Sequence, residues 1–213
     1  MEPLERRDFD RHCDAIAAAL AEEGRIVLPQ VLAPALTAAL AERVALRQDS
    51  MQRAAVGRDR TRSDAVRNDR SAWLEADDAS ERAFLEWMED LRLGLNRRLF
   101  LGLFDYEAHF AVYDAGAYYR RHLDVFQERH ERVVTTVFYL NRGWPAAAGG
   151  ELLIYPPQGD QPLQSVRPDA GTLVVFLSER FPHEVRPATA RRYSIAGWFR
   201  RNGGGSRRAD PPR

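Results

Sequence analysis

The chain has 213 residues with no formal net charge, and 45% of the residues are hydrophobic. This length and composition predict one globular domain with a sizeable core and exclude a disordered chain. The chain has no excess of positive charge, so we expect no nucleic-acid partner. It has no apolar run near the ~20 residues that span a bilayer, so we expect no membrane partner. Every cationic side chain is arginine, which excludes lysine-dependent chemistry such as Schiff bases and P-loops.

The single cysteine, Cys13, excludes an internal disulfide and a cysteine-ligated cluster. It lies in a helical pattern, and we interpret it as a partly buried helix residue. Residues 1–8 are charged and contain no apolar signal-peptide core, so we expect a cytoplasmic protein.

The first half of the chain has helical periodicity. The predicted elements, in chain order, are a helix over 8–23, a short strand over 25–28, a helix over 34–48 and a helix over 80–100. Gly24 is the expected C-cap of the first helix, and Asp78 with Glu81 matches a capping box before the last one.

Residues 49–72, between the second and third helices, are polar, arginine-rich and poorly periodic. A connection of this length in a compact domain is often functional or mobile, and a solvated excursion is the alternative interpretation.

The second half changes to short β-branched and aromatic runs separated by turns. The predicted strands cover 109–113, 118–122, 133–140, 151–155, 163–167, 172–177, 183–186 and 193–199. Eight short strands after a helical half predict an α+β fold: a double-stranded β-helix, or jelly roll, buttressed by the N-terminal helices. We expect one structural domain, with a helical part over 1–105, a core over 106–200 and a flexible tail over 201–213.

Two histidines and an aspartate form a candidate metal site. His122 and Asp124 are two residues apart, so an extended chain places both on one face. His183, at the start of a late strand, is the candidate third ligand. Two His and one carboxylate leave three coordination positions open, as in non-haem Fe(II) oxygenases, whereas an H-x-D pair alone also occurs by chance.

Arg192 begins the last predicted strand and shares its face with Ser194, Ala196 and Trp198. Two small residues beside an inward arginine leave space for a ligand. A lone buried charge is unfavourable, and a bound carboxylate relieves that cost through paired hydrogen bonds. A structural ion pair with a protein carboxylate is the alternative.

These motifs, taken together and in this order, resemble one family. They are YDAG at 113–116, YRRHLD at 119–124, TVFYLN at 136–141, GGEL at 149–152, PHEV at 182–185 and RYSIAGW at 192–198. The sequence resembles the 2-oxoglutarate- and Fe(II)-dependent oxygenases, in the prolyl 4-hydroxylase branch, and is similar to oxygen-sensor-type enzymes and their bacterial relatives. The segment RNDRSAWL at 67–74 resembles part of their mobile lid, which would cover about 49–74 here.

The resemblance implies a role for each matching residue. His122, Asp124 and His183 would bind Fe(II) and form the catalytic centre. Arg192 and Tyr139 would bind the distal carboxylate of 2-oxoglutarate. The remaining cosubstrate positions would be Tyr113 near the metal and, on the pocket wall, Leu152, Val185 and Trp198. Arg132, in the loop region after the metal motif, would contact substrate.

The resemblance also implies the reaction, which is hydroxylation of a prolyl residue in a protein or peptide with release of succinate and CO2. O2 would be consumed, ascorbate would serve as reductant, and a translation factor is a possible target. Three alternatives remain open: a hydroxylase of a free amino acid or other small metabolite, a cupin-type metal enzyme without 2-oxoglutarate, and a non-catalytic jelly-roll binding module.

Overall fold

The computed structural model of the protein describes residues 3–53, 66–124 and 131–201. The helices are α1 (Pro3–Glu22), α2 (Pro34–Arg47) and α3 (Ala79–Leu99), with a 3-10 turn at Gln48–Ser50. The strands are β1 (Arg25–Leu28), β2 (Gln52–Arg53), β3 (Arg70–Trp73), β4 (Leu103–Tyr113), β5 (Tyr119–His122), β6 (Arg132–Tyr139), β7 (Leu152–Ile154), β8 (Gln164–Val166), β9 (Leu173–Leu177), β10 (His183–Val185) and β11 (Arg192–Arg201).

Two antiparallel sheets form the core, which confirms the predicted α+β jelly roll. The larger sheet has the order β1-β9-β6-β11-β4-β3-β2, and the smaller one has the order β5-β10-β7-β8. From β4 to β11 the chain passes back and forth between the sheets, as the jelly-roll fold requires. Each predicted strand and helix has a counterpart among the described residues. The first strand of this half is longer than predicted, because β4 starts at Leu103 and the predicted strand at 109.

The larger sheet separates two hydrophobic clusters because successive side chains of a strand point to opposite faces. On β6, Val134 and Phe138 pack toward the helices, whereas Val137 and Tyr139 pack toward the smaller sheet. The helix-facing cluster includes Phe84 of α3. The three helices therefore brace one face of the larger sheet and leave the other face for the space between the sheets.

The predicted helix ends are largely confirmed. Gly24 has a φ of +81° and follows α1, and the Asp78 carboxylate accepts hydrogen bonds from the N–H groups of Ser80 and Glu81. The expected capping box is only half formed, because the buried Glu81 carboxylate turns away to accept the Glu75 N–H at 2.7 Å. Cys13 lies in α1, as its helical pattern predicted, but it is completely buried and not partly buried.

Regular structure extends into both ends of the segment predicted as a lid. After the 3-10 turn, β2 pairs with β3, and β3 pairs with β4 from Arg70↔Val112 to Trp73↔His109. Sequence patterns did not indicate these two strands, because the arginine-rich run hides their alternation. Residues 54–65 and most of the predicted tail lie outside the described residues, so the mobility of both stays a prediction.

We expect Glu81→Ala to destabilise the fold by roughly 2–3 kcal/mol, since hydrogen bonds to a buried charge are worth about 1.5–3 kcal/mol each. Glu81 also accepts from Arg43 at 2.7 Å and from Arg47 at 3.0 Å, and the change leaves the Glu75 N–H unpaired. Both arginines keep some contact with water, which limits the loss. Urea unfolding would measure the effect. Glu86→Ala, at an exposed position of the same helix, is the control and should change stability by less than about 0.5 kcal/mol.

Candidate metal centre and anion pocket

The structure brings His122, Asp124 and His183 together at one end of the smaller sheet. His122 ends β5, Asp124 follows it, and His183 begins the adjacent β10, directly opposite His122 in the strand register. One potential ligand atom from each residue lies within 4.8 Å of the others. Nε2 of each histidine is 3.5 Å from an Asp124 oxygen. This donor set can hold a divalent cation from one side and leave the opposite side open.

Backbone carbonyls orient both imidazoles. Nδ1 of His122 lies 2.7 Å from the Arg120 carbonyl oxygen, and Nδ1 of His183 lies 3.1 Å from that of Phe181. An N–H at Nδ1 makes these hydrogen bonds and leaves the Nε2 lone pair facing the centre, which is the arrangement typical of metal-ligating histidines.

Asp124 is 8% exposed and is held as an anion. Burial alone would raise the pKa of its carboxyl group. His183, His122 and Arg132 outweigh burial and lower that pKa well below the usual range. The carboxylate also accepts a hydrogen bond of 2.8 Å from the Thr135 hydroxyl. A carboxylate that is ionised and oriented in this way needs no proton loss before it can bind a metal.

A stack of side chains supports His122 from the segment before β3. The Asp69 carboxylate accepts two hydrogen bonds from the buried Arg67 guanidinium, which lies 4.3 Å from the centre of the Tyr119 ring. The Tyr119 ring in turn stacks on His122 at 3.5 Å with an interplanar angle of 15°. The segment that precedes β3 is therefore in contact with the candidate metal site.

An irregularity in β5 places Tyr119 and His122 on the same face. Between the pairs His183↔His122 and Val185↔Tyr119, β5 has one residue more than β10. This bulge shifts the alternation by one residue. In a regular strand, residues three apart point to opposite faces of the sheet. The sequence pattern therefore gave no indication that Tyr119 contacts His122.

The second part of the site is an anion pocket around Arg192, which begins β11. Arg192 is 1% exposed, and within the described parts of the chain no carboxylate lies within 4.0 Å of its guanidinium. Its one hydrogen bond there goes to Ser194 at 3.3 Å, and its Nε has no partner. The alternative of a structural ion pair is therefore not realised among these residues.

Two tyrosine rings flank Arg192. Its guanidinium carbon lies 4.9 Å from the centre of the Tyr139 ring and 5.0 Å from that of Tyr113. The Tyr139 hydroxyl is buried and has no hydrogen-bond partner in the part of the chain that the structure describes. Burial raises the pKa of both phenols, so each remains an O–H donor. A cation and a phenol donor thus share one enclosed space, and a bound carboxylate would satisfy both.

The predicted wall residues enclose the same space. Leu152 and Val185 belong to the cluster between the sheets, together with Tyr113 and Tyr139. Trp198 lies farther along the inner face of β11, and its indole N–H is buried without a partner. Arg132 stacks over the Trp198 ring at 3.5 Å and donates to Glu107 at 2.9 Å.

His109 also faces this space, and sequence reasoning gave it no role. It lies opposite Trp73 and Ala196 in the sheet, and its ring is 5.4 Å from the centres of both the Trp73 and Trp198 rings. Burial, with a smaller effect from Arg67 and Arg132, lowers its pKa to about 3. His109 and Tyr113 are four residues apart on β4, so their side chains point to the same face of the sheet. This spacing is the sequence pattern that could have indicated a role for His109.

Several known proteins are similar to this chain in sequence and in fold. Residues 108–200 match the model of the 2OG-Fe(II) oxygenase superfamily. The crystal structure of a Pseudomonas putida prolyl-4-hydroxylase is 39% identical and superimposes with a TM-score of 0.81 over 90% of this chain and 100% of that one. This chain belongs to the prolyl 4-hydroxylase family of 2-oxoglutarate- and Fe(II)-dependent oxygenases. The resemblance inferred from the sequence motifs is confirmed.

Two animal proteins extend the comparison. A Trichoplax adhaerens prolyl hydroxylase, solved with a peptide fragment of the hypoxia-inducible factor oxygen degradation domain, is 25% identical, with a TM-score of 0.84 over 94% of each chain. Human Egl nine homolog 1 is 32% identical over 63% of this chain. The chain spans about a third of that relative's length. No helix among the described residues is long and apolar enough to cross a membrane.

We expect His109→Met to make folding stability less sensitive to acid. The His109 pKa is about 3 in the folded chain and near 6.5 when unfolded, so below about pH 6.5 the unfolded state binds the proton first. Wild type then loses stability by up to about 1.4 kcal/mol per pH unit relative to the variant. Urea unfolding between pH 6.5 and 4 measures this difference, and parallel pH curves for the two proteins would contradict it.

Proposed function

We propose that the protein is an Fe(II)- and 2-oxoglutarate-dependent dioxygenase that hydroxylates a prolyl residue in a protein or peptide. The observation that carries this proposal is the buried Arg192, which has no acidic partner among the described residues and lies beside the unpartnered Tyr139 hydroxyl. A family member requires a dicarboxylate cosubstrate, and these two groups provide a binding site for one carboxylate.

His122, Asp124 and His183 would hold Fe(II), and their chemistry fits that ion. Bound Fe(II) supplies the oxygen chemistry that couples decarboxylation of 2-oxoglutarate, to succinate and CO2, with hydroxylation of a C–H bond. The three side chains would hold the ion from one side, and the other side would be free for cosubstrate and O2. Carbonyl hydrogen bonds keep both imidazoles in the ligating tautomer.

Arg192 would bind the distal carboxylate of 2-oxoglutarate through paired hydrogen bonds, with Tyr139 as a further donor. Tyr113 would contact the cosubstrate closer to the metal. Leu152, Val185 and Trp198 would line the pocket and exclude water, which strengthens the ionic contacts inside it.

The comparisons support a polypeptide substrate, since one structural relative is solved with a peptide. Arg132, stacked on Trp198 at the start of β6, would contact that substrate. A translation factor as target, ascorbate as reductant and a cytoplasmic location belong to the same proposal.

We expect Asp124→Ala to lower succinate formation at least 100-fold, because it removes the anionic metal ligand. The assay contains full-length protein, Fe(II), 2-oxoglutarate, ascorbate and O2, with and without soluble lysate from the source cell. Mass spectrometry for a gain of 16 Da on proline identifies the product. Asp160→Ala, at a side chain that is 99% exposed, is the control and should retain full turnover.

Each outcome of this assay distinguishes the alternatives. Turnover stimulated by lysate protein, with hydroxyproline formed, supports the proposal. Turnover without protein modification points to a small-metabolite substrate. Failure of the wild type to bind Fe(II) and 2-oxoglutarate leaves a binding module, and metal binding without 2-oxoglutarate binding points to a cupin-type enzyme.

We expect Arg192→Lys to raise the KM for 2-oxoglutarate by roughly 10- to 100-fold, because an ammonium group lacks the planar pair of donors that a guanidinium presents to a carboxylate. Initial rates of succinate formation against 2-oxoglutarate concentration measure the change. Arg11→Lys, at a side chain that is 73% exposed on α1, is the matched control. An unchanged KM in Arg192→Lys would contradict the assignment of this pocket.

A further inference from the structure

We propose that Thr135 and Ser178 form a relay of two hydroxyl groups that positions Asp124 for metal binding, an inference that rests on the proposed function. Thr135 is 1% exposed and Ser178 is completely buried. The Thr135 hydroxyl lies 2.8 Å from Oδ2 of Asp124 and 2.9 Å from the Ser178 hydroxyl. Consecutive hydrogen bonds thus connect the side chains of Ser178, Thr135 and Asp124.

The sheet places this relay at the metal site. Thr135 shares the inner face of β6 with Tyr139, and in the strand register it lies opposite Trp198 of β11 and Phe176 of β9. Ser178 follows the last residue of β9, where its backbone N–H donates to the Val133 carbonyl at 3.0 Å. Thr135 therefore comes from within the larger sheet and Ser178 from the turn that directly follows one of its strands, and both approach Asp124 from that sheet.

The direction of the hydrogen bonds follows from the number of protons. Asp124 is ionised, so its oxygens only accept, and Thr135 must donate its single proton to Oδ2. The Thr135 oxygen then has only acceptor capacity left, so Ser178 donates to it. Each bond polarises the next, and the carboxylate receives a stronger bond than one isolated hydroxyl would give.

The relay engages one carboxylate oxygen and leaves the other available. Each carboxylate oxygen lies 3.5 Å from a histidine Nε2, Oδ1 from that of His122 and Oδ2 from that of His183, and Oδ2 also accepts the Thr135 hydrogen bond. The hydrogen bond to Oδ2 would fix the plane of the Asp124 carboxylate and so orient it toward a cation held with His122 and His183. Thr135 and Ser178 are positioning residues, since they act on the cation through Asp124.

Titration of full-length protein with Mn(II), followed by electron paramagnetic resonance, tests this inference without depending on turnover. Removal of a group that orients a metal ligand typically weakens metal binding about 10- to 100-fold, and we expect this loss in Thr135→Val. Thr135→Ser restores the hydroxyl and should bind Mn(II) within about 3-fold of wild type. The charge-transfer absorption of the Fe(II)–2-oxoglutarate complex should change in the Val variant and return in the Ser variant.

The neighbouring residue provides a matched control. Thr136 is also 1% exposed, but its hydroxyl lies on the opposite face of β6, 2.8 Å from the Tyr106 hydroxyl. Thr136→Val removes the same chemical group from the same strand. It should lower the free energy of unfolding but leave the Mn(II) affinity unchanged, which separates loss of stability from loss of ligand orientation.

The outcomes distinguish the relay from the proposed function. Equal Mn(II) affinity in wild type and folded Thr135→Val would overturn the relay. If Thr135→Val does not fold, Ser178→Ala decides: the relay predicts an affinity about 3- to 10-fold weaker, and unchanged affinity contradicts it. Wild-type protein that binds neither Mn(II) nor Fe(II) would overturn the proposed function and, with it, the relay.

Discussion

The alternation of side chains across the larger sheet is the constraint on which the fold and the candidate site both depend. One face of β4, β6 and β11 packs against the three helices and forms an apolar core. The same geometry directs the intervening residues into the space between the sheets. The helices thus hold the larger sheet in place, and that sheet carries the anion pocket.

Strand register arranges the inner face in rows. Thr135 and Trp198 form one row, Val137, Ala196 and His109 form the next, and Tyr139 and Ser194 form a third. Arg192 and Tyr113 form the last row. The hydroxyl that contacts Asp124 and the buried guanidinium of Arg192 therefore belong to one continuous inner surface, on which the candidate metal centre and the anion pocket both lie.

The cost of burying polar groups explains why this surface indicates function. Buried donors and acceptors are normally hydrogen-bonded, and each exception needs a physical reason. On the helix side, the buried Glu81 is satisfied by two arginines and a backbone N–H. The unpaired Nε of Arg70 there belongs to a guanidinium whose other nitrogens donate to Gln48 and Asp114. On the site side, the Tyr139 hydroxyl, Nε of Arg192 and the Trp198 indole N–H are buried without partners among the described residues, and no protein carboxylate there neutralises Arg192. A ligand would supply those partners.

Much of the fold and of the candidate site could be predicted from the sequence because both follow periodic rules. Helical spacing and cap residues indicated α1, α2 and α3, and alternation placed Arg192 on one face with Ser194 and Trp198. The resemblance indicated the role of Tyr139. The bulge in β5 broke the rule of alternation, which is why the contact between Tyr119 and His122 was missed. The strands β2 and β3 were missed because arginines obscured their alternation.

Long-range contacts could not be read from local patterns. The hydrogen bond from Thr135 to Asp124 spans 11 residues and the pairing of Glu81 with Arg43 spans 38, and only the packed structure brings these side chains together. For His109, the alternation along its strand is enough to predict which face of the sheet it lies on. The two tryptophan rings beside it could not be predicted, because they come from other strands.

The most direct test of this account compares two ligands that differ only in the distal carboxylate. Isothermal titration of the Mn(II)-loaded protein with 2-oxoglutarate and with 2-oxopentanoate, its monocarboxylate analogue, isolates the contribution of the Arg192 pocket. The account predicts that 2-oxoglutarate binds at least 10-fold more tightly, because only its distal carboxylate pairs with the buried guanidinium. Equal affinity for the two ligands would contradict the account.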